Sequence, residues 1–319
     1  MSKVIHKIFL HSEEHFEGRL PLHHLGELLA ALPSAIRAAV SMAFRNRSHV
    51  KGRHPAWLDR ASDVRFVDHG GNGESVLFFE APTLGEAAED IYSQKSLFSE
   101  YDDRPNPKDT ALDVFGDVLA DVLKQEADSS HFDPSLLRRI TFFDRVFKKS
   151  PFREIDFTSR RYSRTKPARF TPALVESARY LLGRTPTPQR LRIVGQLDGL
   201  VASTQRFSIL LDSGEKVVGV FTDDQMDAMQ KLWRKRVLVL GTAIYRASGR
   251  LLRIDADVVR PGEGEAQIFS QMPSPPGTKI DVVKLRKSQG PKSGINAIVG
   301  KWPGDETDEE LTAILEELS

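Results

Sequence analysis

Three residues near the N-terminus have the types and spacing of a zinc-binding motif. His11, Glu14 and His15 match H-x-x-E-H, in which two histidines on one helical face bind zinc and the glutamate acts as a base. The segment follows a predicted strand and leaves hardly one helical turn before Pro21. The context therefore favours a surface turn, and we expect no metal site.

Other catalytic patterns are absent from the sequence. It contains no G-x-x-x-x-G-K-[ST], no G-x-G-x-x-G between a strand and a helix, and no G-x-S-x-G. The chain has no cysteine, which excludes disulfides, thiol nucleophiles, zinc–thiolate sites and iron–sulfur clusters. We predict a protein without enzymatic activity or cofactor. The weaker alternative is an enzyme whose site is assembled from residues that are distant in sequence.

Composition favours packed domains. The 319 residues are 40% apolar and 28% charged, which is enough for two or three domains with hydrophobic cores. No apolar run approaches the roughly 18 residues of a membrane span, and the first residues lack the apolar core of a signal peptide. We expect a cytoplasmic protein that binds no membrane.

Charge is unevenly distributed along the chain. Residues 300–319 hold seven acids and one base, whereas residues 138–192 hold fifteen bases and four acids. A basic body with an acidic tail favours either a polyanionic partner or a contact between the tail and the body. A solvated basic face is an equally good interpretation.

Hydrophobic periodicity predicts an α+β fold: an N-terminal α+β domain of unknown type over residues 1–150, then a small barrel and a tethered C-terminal helix. Residues 151–189 are interpreted as a basic connector with a short helix. In the first domain, Pro33 is expected to kink or split the first helix. The predicted elements are strands at 4–10, 63–67 and 75–80, with helices at 21–45, 110–125 and 134–147.

Residues 190–262 have the order β-β-β-α-β-β, which resembles the OB-fold, a small five-stranded barrel. Small SH3-like barrels are similar. An OB-fold suggests binding of nucleic acid, which requires aromatic platforms beside cations. The candidate nucleic-acid-binding residues are Arg192, Arg206, Tyr245, Arg246, Arg250 and Arg253.

Residues 263–299 are rich in proline, glycine and serine and are interpreted as a flexible linker. In the acidic segment that follows, Thr307 and Glu310 form a capping box. The spacing of Leu311 and Leu315 then predicts a short amphipathic helix, for which Trp302 is a natural anchor on a partner protein. Docking of this helix on its own body is the alternative.

The run from Gly300 to Leu311 resembles the C-terminal tail of antitoxin-like bacterial proteins encoded beside PIN-domain toxins. The resemblance implies that the tail captures and neutralises a ribonuclease toxin. The residues it places on the toxin are Trp302, Pro303, Gly304, Asp305, Glu306, Leu311 and Leu315. The alternative function is nucleic-acid binding by the barrel and the basic connector, with the tail as an autoinhibitory mimic.

Overall fold

The computed structural model describes residues 3–16, 19–49, 54–71, 75–93, 104–262, 264 and 269–275. The chain divides into two units, Met1–Pro276 and Gly277–Ser319. The acidic tail and most of the predicted linker belong to the second unit, and they lie outside the described residues. The first unit contains both helices and strands, which confirms the α+β class.

A five-stranded antiparallel sheet forms the centre of residues 3–184, which we call the α+β region. Its strand order is β2-β3-β1-β4-β5. The alternation of β1 buries Ile8 and Leu10 under the helices and places Phe9 and His11 on the other face. The strands are β1 (Lys3–Ser12), β2 (Arg65–Gly70), β3 (Ser75–Pro82), β4 (Phe152–Thr158) and β5 (Ala168–Phe170).

The helices of this region pack on one face of the sheet around α1, which runs without a break through Pro33. The predicted helix at 134–147 is divided into α6 and α7. The helices are α1 (Leu22–Arg45), α2 (Ala56–Ala61), α3 (Leu84–Ala87), α4 (Glu89–Tyr92), α5 (Ala111–Leu123), α6 (Pro134–Thr141), α7 (Asp144–Lys149) and α8 (Pro172–Arg184).

By length and composition alone, α1 is apolar enough to cross a membrane, although the sequence analysis predicted no such segment. Buried core helices pass the same test. Helix α1 buries Leu28, Leu32, Ile36 and Phe44 in the core of the α+β region.

The predicted connector at 151–189 is instead largely part of the α+β region. Strands β4 and β5 complete the first sheet, and α8 packs against α5 and α6. Although the segment is basic, its apolar residues fall on the inner face of the sheet, where Phe152, Ile155 and Phe170 are buried. The boundary of the region therefore moves from residue 150 to Arg184.

A second sheet closes into a five-stranded barrel, with the ring order β10-β8-β7-β6-β9. Strands β8 and β10 pair in parallel, and all other neighbours are antiparallel. A short 3₁₀ turn and helix α9 (Met226–Lys231) connect β8 to β9. The strands are β6 (Gln189–Val201), β7 (Arg206–Leu210), β8 (Lys216–Val220), β9 (Arg236–Tyr245) and β10 (Leu251–Pro261).

The first described residues after the barrel pack against it. The backbone N–H of Asp212 donates to the Ser270 hydroxyl at 2.8 Å, and Met272 packs on the barrel core. The ring of Phe269 lies 5.2 Å from the Arg192 guanidinium. Residues 269–275, predicted to be flexible linker, therefore belong to the barrel.

Candidate functional site at the junction of the two regions

A row of four aspartates begins two residues before α5 and continues along the helix. Asp109, Asp113, Asp117 and Asp121 recur at every fourth position, a spacing that places side chains on one face of a helix. This row was not among the predicted sites, although the repeated D-x-x-x-D is visible in the sequence. Three of the four lie on α5, and Asp109 lies two residues before it.

Asp113 lies at the centre of the row and is fully buried. Its Oδ2 accepts from the backbone N–H of Thr110 at 2.9 Å and from the Thr110 hydroxyl at 2.8 Å, forming the capping box that begins α5. Its Oδ1 accepts from the Ser159 hydroxyl and from the backbone N–H of Arg161. Asp113 therefore fastens the loop after β4 to the start of α5.

Arg161 follows in that loop and bridges two members of the row. Its guanidinium donates to Asp109 Oδ2 at 3.1 Å and to Asp117 Oδ2. The hydroxyl of Tyr162 donates to Asp117 Oδ1 at 2.7 Å. Burial raises the pKa of Asp109, which Arg161 only partly offsets. Burial and the bond to Asp117 likewise raise the pKa of Tyr162 well above its ordinary value.

His131 pairs with the last aspartate of the row. Its Nδ1 lies 2.8 Å from Asp121 Oδ2, which also accepts from the Ser129 hydroxyl at 2.6 Å. The hydrogen bond to Asp121 raises the pKa of His131, against the opposing effect of burial. Burial by itself raises the pKa of Asp121, but the bonds from His131 and Ser129 outweigh it and lower that pKa.

Asp109, Asp117, His131 and Arg161 line a cleft of about 290 Å³, which also reaches the barrel and which we call the polar cleft. Its walls come from α1, α5, the loop after β4 and the first residue of β7. The lining polar and charged residues are Asn46, Arg104, Asn106, Asp109, Asp117, Ser130, His131, Arg161 and Arg206. The cleft has room for a side chain of a partner or for a small polar molecule.

The loop between β9 and β10 fixes the barrel to the α+β region. Arg246 donates to the backbone carbonyl of Asp128 at 2.8 Å, while Ser248 and Arg250 donate to the Asp128 carboxylate. Leu252, at the start of β10, belongs to the hydrophobic core of the α+β region. The junction is therefore both apolar and hydrogen-bonded.

A buried ion pair crosses the same junction. Arg253 Nη1 lies 3.1 Å from Asp133 Oδ2, and both side chains are at least 95% buried. Asp133 also accepts from Ser48 and caps α6 through the backbone N–H of Leu136. Burial opposes the charge on Asp133, but the attraction of Arg253 and these hydrogen bonds hold the pKa of Asp133 below its ordinary range. Asp255 is a second partner for Arg253 at 2.7 Å.

The structure separates the six candidate nucleic-acid-binding residues. Tyr245 is only 1% exposed, so the expected surface position of its ring is wrong: the end of β9 is enclosed at the junction. Arg253 is likewise buried. Arg246 and Arg250 are bound to Asp128, Arg206 lines the polar cleft, and Arg192 stacks on Phe269. The structure therefore does not bring these residues together as one exposed face.

The basic stretch at 138–192 is also extensively paired. Acids from other parts of the α+β region and the barrel lie against its bases, as in Lys149 with Glu27, Arg153 with Glu13 and Arg190 with Asp257. Local charge in the sequence therefore overstates the positive surface of the folded chain, because its partners come from distant residues.

The remaining predicted sites have two different outcomes. Trp302, Leu315 and the other tail residues lie outside the described residues. In the motif at 11–15, Glu14 and His15 are exposed at the end of β1. His11 instead lies beside Glu154 and Asp156 of β4. Within the described residues, these three form a group of side chains that could bind a metal ion.

The acidic side chains of the row are already hydrogen-bonded or paired with positive charge. Each aspartate of the row already accepts hydrogen bonds from a neighbouring side chain or backbone group, and Arg161 neutralises two of them. This arrangement positions the loop after β4, and the open side of the cleft can bind a polar group.

Comparison with protein-family models, curated proteins and solved structures found no match for this chain.

Proposed function

We propose that this protein is a non-enzymatic, cytoplasmic antitoxin-like protein that captures a PIN-domain-type ribonuclease through residues 300–319. The body, residues 1–276, is the carrier of this tail. The division of the chain at Pro276 supports the proposal, since it assigns the tail, together with residues 277–299, to a different unit from the body. The anchor Trp302 and the apolar positions Leu311 and Leu315 supply the contact surface.

The paired state of the barrel arginines also favours protein capture over nucleic-acid binding. Arg246, Arg250 and Arg253 are engaged with Asp128 and Asp133, so phosphate contacts would have to break these pairs. The acidic tail, by contrast, has the charge that complements the basic RNA-binding rim of a ribonuclease.

Affinity purification of the tagged full-length protein from its native host, with mass spectrometry and a ribonuclease assay, tests the proposal. A small PIN-type ribonuclease is expected to co-purify in an inactive state and to become active when the complex is dissociated. Trp302→Ala and a chain ending at residue 299 are expected to lose it. Glu317→Gln, which alters one tail charge and no apolar position, is the matched control. Retention of the ribonuclease by the truncated chain would contradict the proposal.

A second candidate function rests on the topology of the barrel. Numbered along the barrel, its closed order is 1-2-3-5-4, with the third and fifth strands parallel and a helix between the third and fourth. This arrangement is similar to that of the OB-fold, which suggests nucleic-acid binding. However, OB-folds bind their ligands with the 1–2 and 4–5 loops together with the face of strands 2 and 3. Here the 4–5 loop contacts Asp128, and Gln205 of the 1–2 loop accepts from Arg45.

Salt dependence separates this candidate from the first. If the barrel binds single-stranded nucleic acid, its affinity for a labelled oligonucleotide should fall steeply between about 50 and 200 mM salt. Arg192→Ala should reduce that slope. Weak binding with no dependence on salt would exclude the second candidate.

A further inference from the structure

His11, Glu154 and Asp156 lie together on the sheet face opposite the helices. In the sheet register His11 faces Glu154 directly, and Asp156 is two residues further along β4 on the same side. One ligand atom from each residue lies within 4.8 Å of the other two, and His11 Nε2 is 3.2 Å from Asp156 Oδ2. The intervening residues of both strands, Leu10 and Ile155, point into the core and hold the backbone in place.

The carboxylates of this group lack a full set of partners. Asp156 is 7% exposed, and its Oδ1 has no hydrogen-bond partner among the described residues. Glu154 and Asp156 lie two residues apart on the same side of β4, so two carboxylates crowd one site. A buried carboxylate oxygen without a hydrogen bond is costly, and a metal ion can supply the missing interaction.

Arg169 on β5 is a positive charge that faces this group. Its Nε lies 3.5 Å from Glu154 Oε1 and 3.6 Å from Asp156 Oδ1, distances that form ion pairs without a hydrogen bond. The side chain of Arg169 is 52% exposed, so it can swing into solvent without uncovering the core. Arg169 thus offsets part of the negative charge without donating a hydrogen bond to Asp156 Oδ1.

From this geometry we propose that His11, Glu154 and Asp156 form a binding site for a divalent transition metal ion, independent of the tail. One imidazole nitrogen with two carboxylate oxygens is a donor set that suits Zn²⁺ or Mn²⁺ better than Mg²⁺, which prefers oxygen ligands alone. Three protein ligands leave at least one coordination position for water or for a group of a partner. Arg169 competes with the metal for the same carboxylates.

Zn²⁺ titration of the full-length protein by isothermal calorimetry, with equilibrium dialysis for stoichiometry, tests the site. One high-affinity Zn²⁺ per chain is expected, with Mg²⁺ failing to compete at equal concentration. Asp156→Asn and His11→Ala should each weaken binding by about 100-fold or more, and Glu154→Gln should weaken it as well. His69→Ala is the matched control, since His69 is an exposed histidine 3.9 Å from Asp68 on β2.

Arg169→Ala gives a prediction of the opposite sign. Removal of the competing charge should tighten Zn²⁺ binding by about tenfold, which loss of structure cannot imitate. Thermal unfolding followed by circular dichroism will verify that each variant folds. Zn²⁺ binding that is equal in the wild type, Asp156→Asn and His11→Ala would overturn the proposal and identify adventitious binding by other histidines. Unchanged affinity in Arg169→Ala would also overturn it, because the carboxylates would then not be the ligands.

Discussion

At the scale of single residues, the pair of His131 and Asp121 makes stability depend on pH. The pKa of His131 is raised above its ordinary value of 6.5, so the folded state binds the proton more tightly than the unfolded state. The resulting stabilisation is complete below pH 6.5 and is lost as the pH rises through the folded pKa. The pKa of Asp121 is lowered from 3.8, so its stabilisation is lost only as the pH falls below that value.

His131→Asn is therefore expected to destabilise the protein more at pH 5.5 than at pH 9. Urea denaturation of the wild type and the variant at both pH values measures the difference. His69→Ala, on exposed strand β2, is the control and should cost little at either pH. Equal destabilisation by His131→Asn at both pH values would show that the imidazolium does not contribute.

At the scale of secondary-structure elements, two helical glycines differ in their surroundings. A Cβ at Gly116 in α5 would lie 2.3 Å from the ring of Tyr162, whereas a Cβ at Gly183 in α8 would meet no atom within 4 Å. Tyr162 cannot easily move aside, since its hydroxyl is bonded to Asp117. The glycine in α5 therefore allows the loop after β4 to lie against the helix.

Gly183→Ala is expected to stabilise the protein by up to about 1 kcal/mol, because alanine is the better helix former. Gly116→Ala should destabilise it by about 1–3 kcal/mol through overpacking. Urea denaturation measures both. The double variant Gly116→Ala/Tyr162→Ala should be less destabilised than the sum of its single variants; strict additivity would refute the role of the ring contact.

At the scale of the whole body, the buried pair of Arg253 and Asp133 couples the barrel to the α+β region. Asp133→Asn keeps a residue that can cap α6 but removes one of the two carboxylates that pair with Arg253 and leaves Asp255. Loss of one partner of a buried ion pair reduces the free energy of unfolding by about 3–5 kcal/mol. Because Asp255 still pairs with Arg253, we expect the lower end of this range for Asp133→Asn. The equivalent change at the exposed pair with Arg190, Asp257→Asn, should cost less than about 1 kcal/mol.

Two tryptophans make this coupling measurable, because Trp57 packs in the core of the α+β region and Trp233 packs on the barrel core. Trp302→Phe removes the tryptophan fluorescence of the tail. In that background, the variant that keeps only Trp57 and the variant that keeps only Trp233 should unfold in urea at the same midpoint. Asp133→Asn should separate the midpoints. Separate midpoints in the parent protein would show that the junction does not couple the two regions.

The sequence by itself determined the local structure of the body. The periodicity of apolar residues identified α1, α5 and the strands of the barrel, because each of these elements buries one regular face of its side chains. The sequence also excluded thiol chemistry, through the absence of cysteine.

Only the tertiary structure decided which charged residues face each other. The segment at 151–184 is basic in sequence, yet its strands complete a sheet in which β1 brings His11 against Glu154 and Asp156 of β4. Arg253 alternates like a surface residue, yet Asp133, from a distant helix cap, encloses it. Local periodicity records the face on which a side chain lies, but burial and ion pairing depend on contacts between residues far apart in the chain, and those are formed only on folding.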